Sequence, residues 1–301
     1  MIHLNRILFP TDGSECAEAA RRHAHYLADR FEATLHVIHV EEREAELADV
    51  IDVSEADVLA DLHAPKQGRS LVAEPRVLER RVVHPSAAGG ILSYTAEHDT
   101  NLIVMGTHGR GGLQRLMLGS VAEEVVRRAP VPVMTIGESP SLPEDMEEGN
   151  LLVPVDFSGQ QARLISHARE VALAYGMTLT LLHVVERTGL PDVYGVLSEV
   201  PDPAVITERA KDGLEEQADE LRAHGIDVRV EVRHGHPAGE TLDAAEALGA
   251  DLLAIATHGR SGVRRMLMGS VAEKVIRRAP CPVFTVKSFG QSLVHDEEDT
   301  D

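Results

Sequence analysis

The chain has 301 residues, enough for two domains that each bury a core of their own. Its 49 acidic residues outnumber 29 basic ones, giving a net charge of −20, and a field of that sign repels nucleic acid and anionic membrane. Tryptophan is absent, and the only cysteines, Cys16 and Cys281, have neither disulfide nor metal spacing, which sets aside a disulfide framework and a thiolate metal centre. No apolar run reaches the length of a membrane span. Residues 1–6 enter a strand without the zones of a signal peptide, so the expected location is the cytoplasm.

The first half opens with an apolar strand over 4–9, stopped by Pro10, Thr11, Asp12, Gly13 and Ser14. Ser14 is a good helix N-cap with acidic Glu15 behind it, and the helix it starts runs to about residue 31. A second strand is expected over 34–40. Residues 41–75 are acidic and keep helical character only around 53–62. A third strand over 76–83, a helix over 86–97 and a buried fourth strand over 102–105 follow. A glycine-rich connection, a helix over 121–128 and a last strand over 131–136 complete the half. The second half repeats this order: strands over 151–155, 178–184, 227–232, 252–255 and 283–286, with helices over 160–174, about 203–224 and 237–248, and one after the second glycine loop. Strands alternating with helices predict an α/β fold, a parallel sheet with helices on both faces, in each half.

The repeat is visible in the letters. Residues 106–136 and 256–286 share 19 of 31 positions, so two copies of one domain are expected. The predicted organisation is a first domain over 1–138, an acidic linker over 139–149, a second domain over 150–288 and an acidic disordered tail over 289–301.

In a doubly wound sheet, ligands sit beyond the carboxyl ends of the strands where the strand order reverses. Asp12 and Asp156 stand after the first strand of each copy, and a carboxylate there accepts hydrogen bonds from a ribose hydroxyl or a base amino group. Each copy's fourth strand leads into the glycine loop, where backbone N–H groups meet the positive end of a helix dipole, a setting suited to phosphate. The loop is neither a P-loop nor a dinucleotide fingerprint: it has no lysine, and Gly106 and Gly109 are followed, after nine intervening residues, by Gly119 and Ser120. Arg110 and Arg115, with Arg260 and Arg265, can screen phosphate or simply lie in solvent. His108 and His258 follow the loop threonines, with no carboxylate or nucleophile evident nearby; positioning the loop or touching the ligand fits them better than proton transfer.

Several motifs carry a family resemblance. Pro10-Thr11-Asp12-Gly13-Ser14, His39-Val40, Met105-Gly106-Thr107-His108-Gly109-Arg110 and Gly119-Ser120-Val121 resemble the ATP-binding branch of the universal stress proteins. Pro154-Val155-Asp156-Phe157-Ser158, His183-Val184, Ala256-Thr257-His258-Gly259-Arg260 and Gly269-Ser270-Val271 resemble it a second time. The resemblance covers the chain except residues 41–75, the linker and the tail. It implies a Rossmann-like, flavodoxin-like fold of five parallel strands per domain that binds ATP, with or without magnesium. Asp12 and Val40 would meet the adenine or ribose, Gly106, His108 and Gly109 the ribose and phosphates, and Gly119, Ser120 and Val121 the phosphates. Asp156, Val184, Ala256, His258, Gly259, Gly269, Ser270 and Val271 would do the same in the second copy, with Pro10, Thr11, Met105, Arg110, Pro154, Val155 and Arg260 beside them. Pairing of last strands in the family implies an internal pseudo-dimer, and a homodimer is open. The implied role is a nucleotide-dependent stress-response regulator acting on an unidentified protein partner. A slow magnesium-dependent ATPase or autokinase with Ser120 or Ser270 as acceptor, and a nucleotide-free scaffold, stand as alternatives. Ala256 replaces the motif's first glycine, adding a methyl and restricting φ, so weaker binding is expected in the second copy.

Overall fold

The computed structural model describes residues 4–43, 76–108, 118–137, 148–158, 161–186, 202–257, 268–287 and 291–294. The chain divides into two units, Met1–Pro143 with Phe289–Asp301, and Glu144–Ser288. The division falls inside the acidic stretch expected to be a linker.

Unit 1 runs β1 (Arg6–Pro10), α1 (Glu15–Arg30), β2 (Thr34–Glu42), β3 (Val77–His84), α2 (Ala87–Glu97), β4 (Leu102–Gly106), α3 (Ser120–Arg128) and β5 (Val133–Ile136). The strand order is β3-β2-β1-β4-β5 and every pairing is parallel. Right-handed crossovers place α1 on one face of the sheet and α2 with α3 on the other, and α2 does pack against α3 while α1 lies on β1 and β4. β4 and β5 are therefore covered on both sides, which is why Leu102, Ile103, Val104, Val133 and Met134 are all buried. Ser14 caps α1 as expected, its Oγ accepting the Ala17 N–H at 3.2 Å. Ser86 caps α2 in the same way.

Unit 2 repeats the plan with β6 (Asn150–Val155), α4 (Gln161–Tyr175), β7 (Thr178–Val185), α5 (Pro203–Ala223), β8 (Val228–His234), α6 (Pro237–Ala247), β9 (Leu252–Ala256), α7 (Ser270–Arg278) and β10 (Val283–Val286). Its order is β8-β7-β6-β9-β10, again parallel. Asp202 caps α5 and Pro203 opens it, a first-turn position where a missing N–H costs nothing. Both cysteines are buried, and burial pushes the Cys281 thiol up to about 12. Among the described residues no helix is long and apolar enough to cross a membrane.

The tail departs from the sequence expectation. Residues 291–294 are not a disordered extension: Leu293 and Val294 are buried at 2 % and 5 % exposure, and the Gln291 N–H donates to the Pro130 carbonyl at 2.9 Å. The physical reason is composition. The Gln-Ser-Leu-Val stretch carries no charge and has two apolar side chains to hide, whereas the acidic run after it, residues 295–301, lies outside the described residues.

A polar cluster sits beneath α2. His36 is 5 % exposed, and its Nδ1 meets the Tyr94 hydroxyl at 2.9 Å, while Tyr94 stacks on His98 at 3.8 Å. Burial first, then the positive neighbours His98, Arg6 and Arg80, pushes His36 down to about 4. The unfolded chain therefore takes up a proton near pH 6.5 that the folded chain refuses until about pH 4, so this group erodes stability as pH falls through that window. The expected loss by pH 4.5 is about 2–3 kcal/mol. Urea unfolding at pH 7.0 and 4.5 checks it: His36→Gln should lose less stability between the two than the parent chain does, and equal losses would refute the assignment.

Candidate functional site

The crevice in unit 1 follows from how far each strand pairing runs. β1 is laddered to β2 along its whole length, from Arg6 opposite Thr34 to Pro10 opposite Ile38. Its pairing with β4 covers only Ile7 with Leu102 and Leu8 with Ile103. Beyond those residues β1 and β4 part, at the point where the strand order reverses, and the carboxyl ends of both lead into the segments singled out in the sequence.

After Pro10 the Thr11 N–H still reaches the Ile38 carbonyl, at 2.9 Å. The chain then turns sharply. Asp12 Oδ1 accepts the Ser14 N–H at 3.0 Å, and Gly13 takes φ +73, a conformation that favours glycine. Ser14 joins the two sides of the crevice: while capping α1, its hydroxyl donates to the His108 carbonyl at 3.1 Å. His39 fixes the turn from the other side, with Nδ1 at 2.9 Å from the Thr11 carbonyl, so that nitrogen carries the proton.

Val40 has a role set by register. β2 continues to Glu42, paired with β3, after β1 has ended at Pro10. Because the Ile38 carbonyl faces β1, the peptide groups of Val40, two residues on, face the same way, over the end of that strand. An N–H and a C=O thus point together at the crevice with no strand opposite them.

The β4 side is held as firmly. The Thr107 N–H donates to the Ile136 carbonyl at 2.9 Å, and the Thr107 carbonyl accepts the Gly119 N–H at 2.8 Å, closing the base of the glycine loop. Gly119 is the N-cap of α3 and has no side chain to fill that role, so the first N–H groups of the helix, from Ser120 and Val121 onward, lack an intrahelical acceptor. A β-carbon on Gly119 would stand 2.9 Å from the Thr107 carbonyl oxygen. His108 is partly buried with its Nδ1 at 2.9 Å from Thr107 Oγ1, and its Nε2 is buried without a hydrogen-bond partner. Met105 is 5 % exposed and belongs to the core behind the crevice.

Gly106 is a glycine for a reason that the sequence concealed. Its φ is not positive, and an added β-carbon would lie 2.9 Å from the Cys16 carbonyl carbon and 3.0 Å from the Ala17 nitrogen. The missing β-carbon admits the close approach of α1 to β4.

Unit 2 reproduces most of this. Pro154 pairs with Leu182 and Val155 with His183, which puts Val184 at the register of Val40. Asp156 Oδ1 accepts the Ser158 N–H at 3.0 Å, His183 Nδ1 lies 2.7 Å from the Val155 carbonyl, and the Gly269 N–H donates to the Thr257 carbonyl at 2.8 Å ahead of Ser270 and Val271 in α7. Ala256 pairs with Val286 as Gly106 pairs with Ile136. Two differences stand out. Phe157 occupies the position of Gly13 and takes φ +55, a left-handed conformation that is costly for a bulky residue. Lys287, just past β10, is 3 % exposed, and burial pushes its ammonium down to about 7; the first unit has Gly137 there. The sequence reading passed over both, along with the histidine staples; the repeat alignment signals them, as a phenylalanine opposite a turn glycine and a lysine in a lysine-poor chain. Gly109, Arg110, His258, Gly259 and Arg260, with Arg115 and Arg265, lie outside the described residues.

Comparison with known proteins gives a consistent result. The profile of the universal stress protein family matches residues 3–137 and again 149–287. A universal stress protein of Methanocaldococcus jannaschii is 31% identical over 142 residues, 46% of this chain and 81% of that protein. One from Mycolicibacterium smegmatis is 26% identical over 297 residues, 93% of this chain and 96% of its own. The crystal structure of a universal stress protein from Archaeoglobus fulgidus superimposes with a TM-score of 0.66 at 22% identity, covering 95% of this chain and 99% of that one.

Proposed function

The chain belongs to the universal stress protein family along both of its halves, and on that premise we propose that each half binds an adenine nucleotide, ATP foremost, in the crevice between its first and fourth strands. The observation that carries the reading is the unfilled edge at Val40. An N–H beside a C=O is what the Watson–Crick edge of adenine needs, a donor for N1 and an acceptor for the amino group. Asp12, in the turn after β1, brings a carboxylate acceptor for a ribose hydroxyl or the amino group. The uncapped start of α3, with Gly119, Ser120 and Val121, offers amides to phosphate, and the unpartnered His108 Nε2 is a further contact for sugar or phosphate. Asp156, Val184, Gly269, Ser270 and Val271 take the corresponding roles in unit 2. The described residues hold no group of three His, Cys, Asp or Glu side chains fit to cage a metal. A magnesium ion arriving with the nucleotide would rest on phosphate oxygens, water and one or two carboxylates.

The role this fits is a cytoplasmic regulator whose nucleotide-bound and free forms engage a protein partner differently; binding by itself implies no turnover. The test is mass spectrometry of ligand released from freshly purified, acid-denatured protein, with its stoichiometry per chain. Two adenine nucleotides per chain are expected, with an ATP-to-ADP ratio that stays constant on storage. No adenine nucleotide, followed by no heat on ATP titration, overturns the reading. A ratio drifting to ADP with magnesium, and not in the Asp12→Ala, Asp156→Ala double variant, would replace the regulator with a slow ATPase. Removing one charged hydrogen-bond acceptor costs about 1.5–3 kcal/mol. Asp12→Ala alone should therefore weaken ATP binding in unit 1 by about 10–100-fold, read by titration calorimetry.

A further inference from the structure

Unit 2 has a second concavity, on the outer side of the sheet between α4 and α5, with a volume of about 420 Å³. Phe157 and Ser158, in the turn after β6, are the lining residues it shares with the segments that frame the β6–β9 crevice. Phe157, Ile165 and Leu221 give it apolar lining. Phe157 is held there at the expense of its left-handed backbone: its ring packs against His183 at 4.6 Å and is admitted by Gly213 of α5, where a β-carbon would stand 3.0 Å from the ring.

The polar groups of the lining are incompletely paired. Gln161 is 8 % exposed, and its side-chain oxygen has no hydrogen-bond partner. Gln217, across the cavity on α5, has a buried side-chain oxygen in the same state. A buried amide oxygen without a partner is costly, so two lining one cavity call for a reason. The terminal torsion of a glutamine is soft, so each amide can turn toward an occupant and offer it both an acceptor and a donor.

Charge narrows the occupant. Arg169 and Glu220 both line the cavity, and Arg169 is already bonded to Glu170 through Nε and Nη2 at 3.1 and 2.9 Å. His224, beside them, is tied to the Glu220 carbonyl through Nδ1 at 2.8 Å. An anion would face the Glu220 carboxylate, and an amine would face Arg169. We propose that the cavity between α4 and α5 binds a small neutral polyhydroxylated molecule, a sugar or cyclic polyol. Its hydroxyls would both donate to and accept from Gln161 and Gln217, and its C–H face would lie on Phe157, Ile165 and Leu221. The site does not depend on the nucleotide reading, because none of its bonds uses the strand ends.

The experiment is saturation-transfer NMR on the full chain with D-glucose, myo-inositol and trehalose up to tens of millimolar, with inorganic phosphate and putrescine as charged probes. At least one neutral probe should give a saturable signal. Gln161→Leu, which keeps the size of the side chain and removes a buried unpaired oxygen, should fold and weaken that signal at least tenfold. Ile165→Trp, filling the cavity from the next turn of α4, should abolish it. No saturable binding of any neutral probe, preference for phosphate or putrescine, or binding unchanged in both variants overturns the proposal. Adenine nucleotide content measured on the same samples reports on the crevice separately, so either site can fail without the other.

Discussion

Gly106→Val should lower the stability of unit 1 by about 2–3 kcal/mol and strip nucleotide from that unit alone. The substitution drives a branched side chain into the backbone of α1, where even a single β-carbon would approach to 2.9 Å of Cys16. Backbone cannot rotate out of the way as a side chain can, so the helix must move, and overpacking of this kind costs about 1–3 kcal/mol. The movement matters for binding because Ser14 both caps α1 and holds the His108 carbonyl, so displacing the helix start pulls both sides of the crevice apart. Thermal unfolding should show a lowered transition for unit 1, and released nucleotide should fall from two per chain to one. The converse substitution, Ala256→Gly, should leave affinity in unit 2 nearly unchanged. Gly106 does not take a positive φ, so the conformational argument for weaker binding at Ala256 does not apply at this position. A Gly106→Val chain that keeps two nucleotides and its full stability would refute this account.

Truncation after Lys287 should destabilise unit 1 by about 2–4 kcal/mol, although none of the removed residues neighbours it in sequence. Leu293 and Val294 are almost fully buried, and burying such side chains contributes about 1.5–3 kcal/mol each before the entropy of ordering the segment is deducted. Chemical denaturation of the truncated and full chains measures the difference. Leu293→Asp in the full chain should reproduce most of it, whereas removing only residues 295–301 should have little effect. Equal midpoints for all of these would mean that the segment rests on unit 1 without supporting it.

The legible part of this protein is what short stretches of sequence specify. Alternating strands and helices, the Ser14 cap and the doubling of the chain all follow from local pattern, and the structure places them as read. What could not be read depends on residues far apart in the chain. That Gly106 serves α1 requires knowing that residue 16 packs against residue 106. That the peptide groups of Val40 are left open requires knowing that β1 stops two residues short of them. Phe157 in a left-handed turn contradicts local preference outright, and only the ring of His183 and the space above Gly213 make sense of it. The tail misled because its acidic end dominates its composition, while four uncharged residues before that end decide where the chain goes.

The docking of residues 291–294 also bears on how the molecule is made. A ribosome releases the first 143 residues of unit 1 well before the segment that completes it, and the intervening unit of about 150 residues takes on the order of 10–30 s to synthesise. During that interval unit 1 has its sheet but not its last two apolar side chains, so nascent chains should be more sensitive to protease at unit 1 than the finished protein is. The second unit, contiguous in sequence, has no such wait. The half that emerges first is thus the last to be finished, and its quality can be judged only once the whole chain has been made.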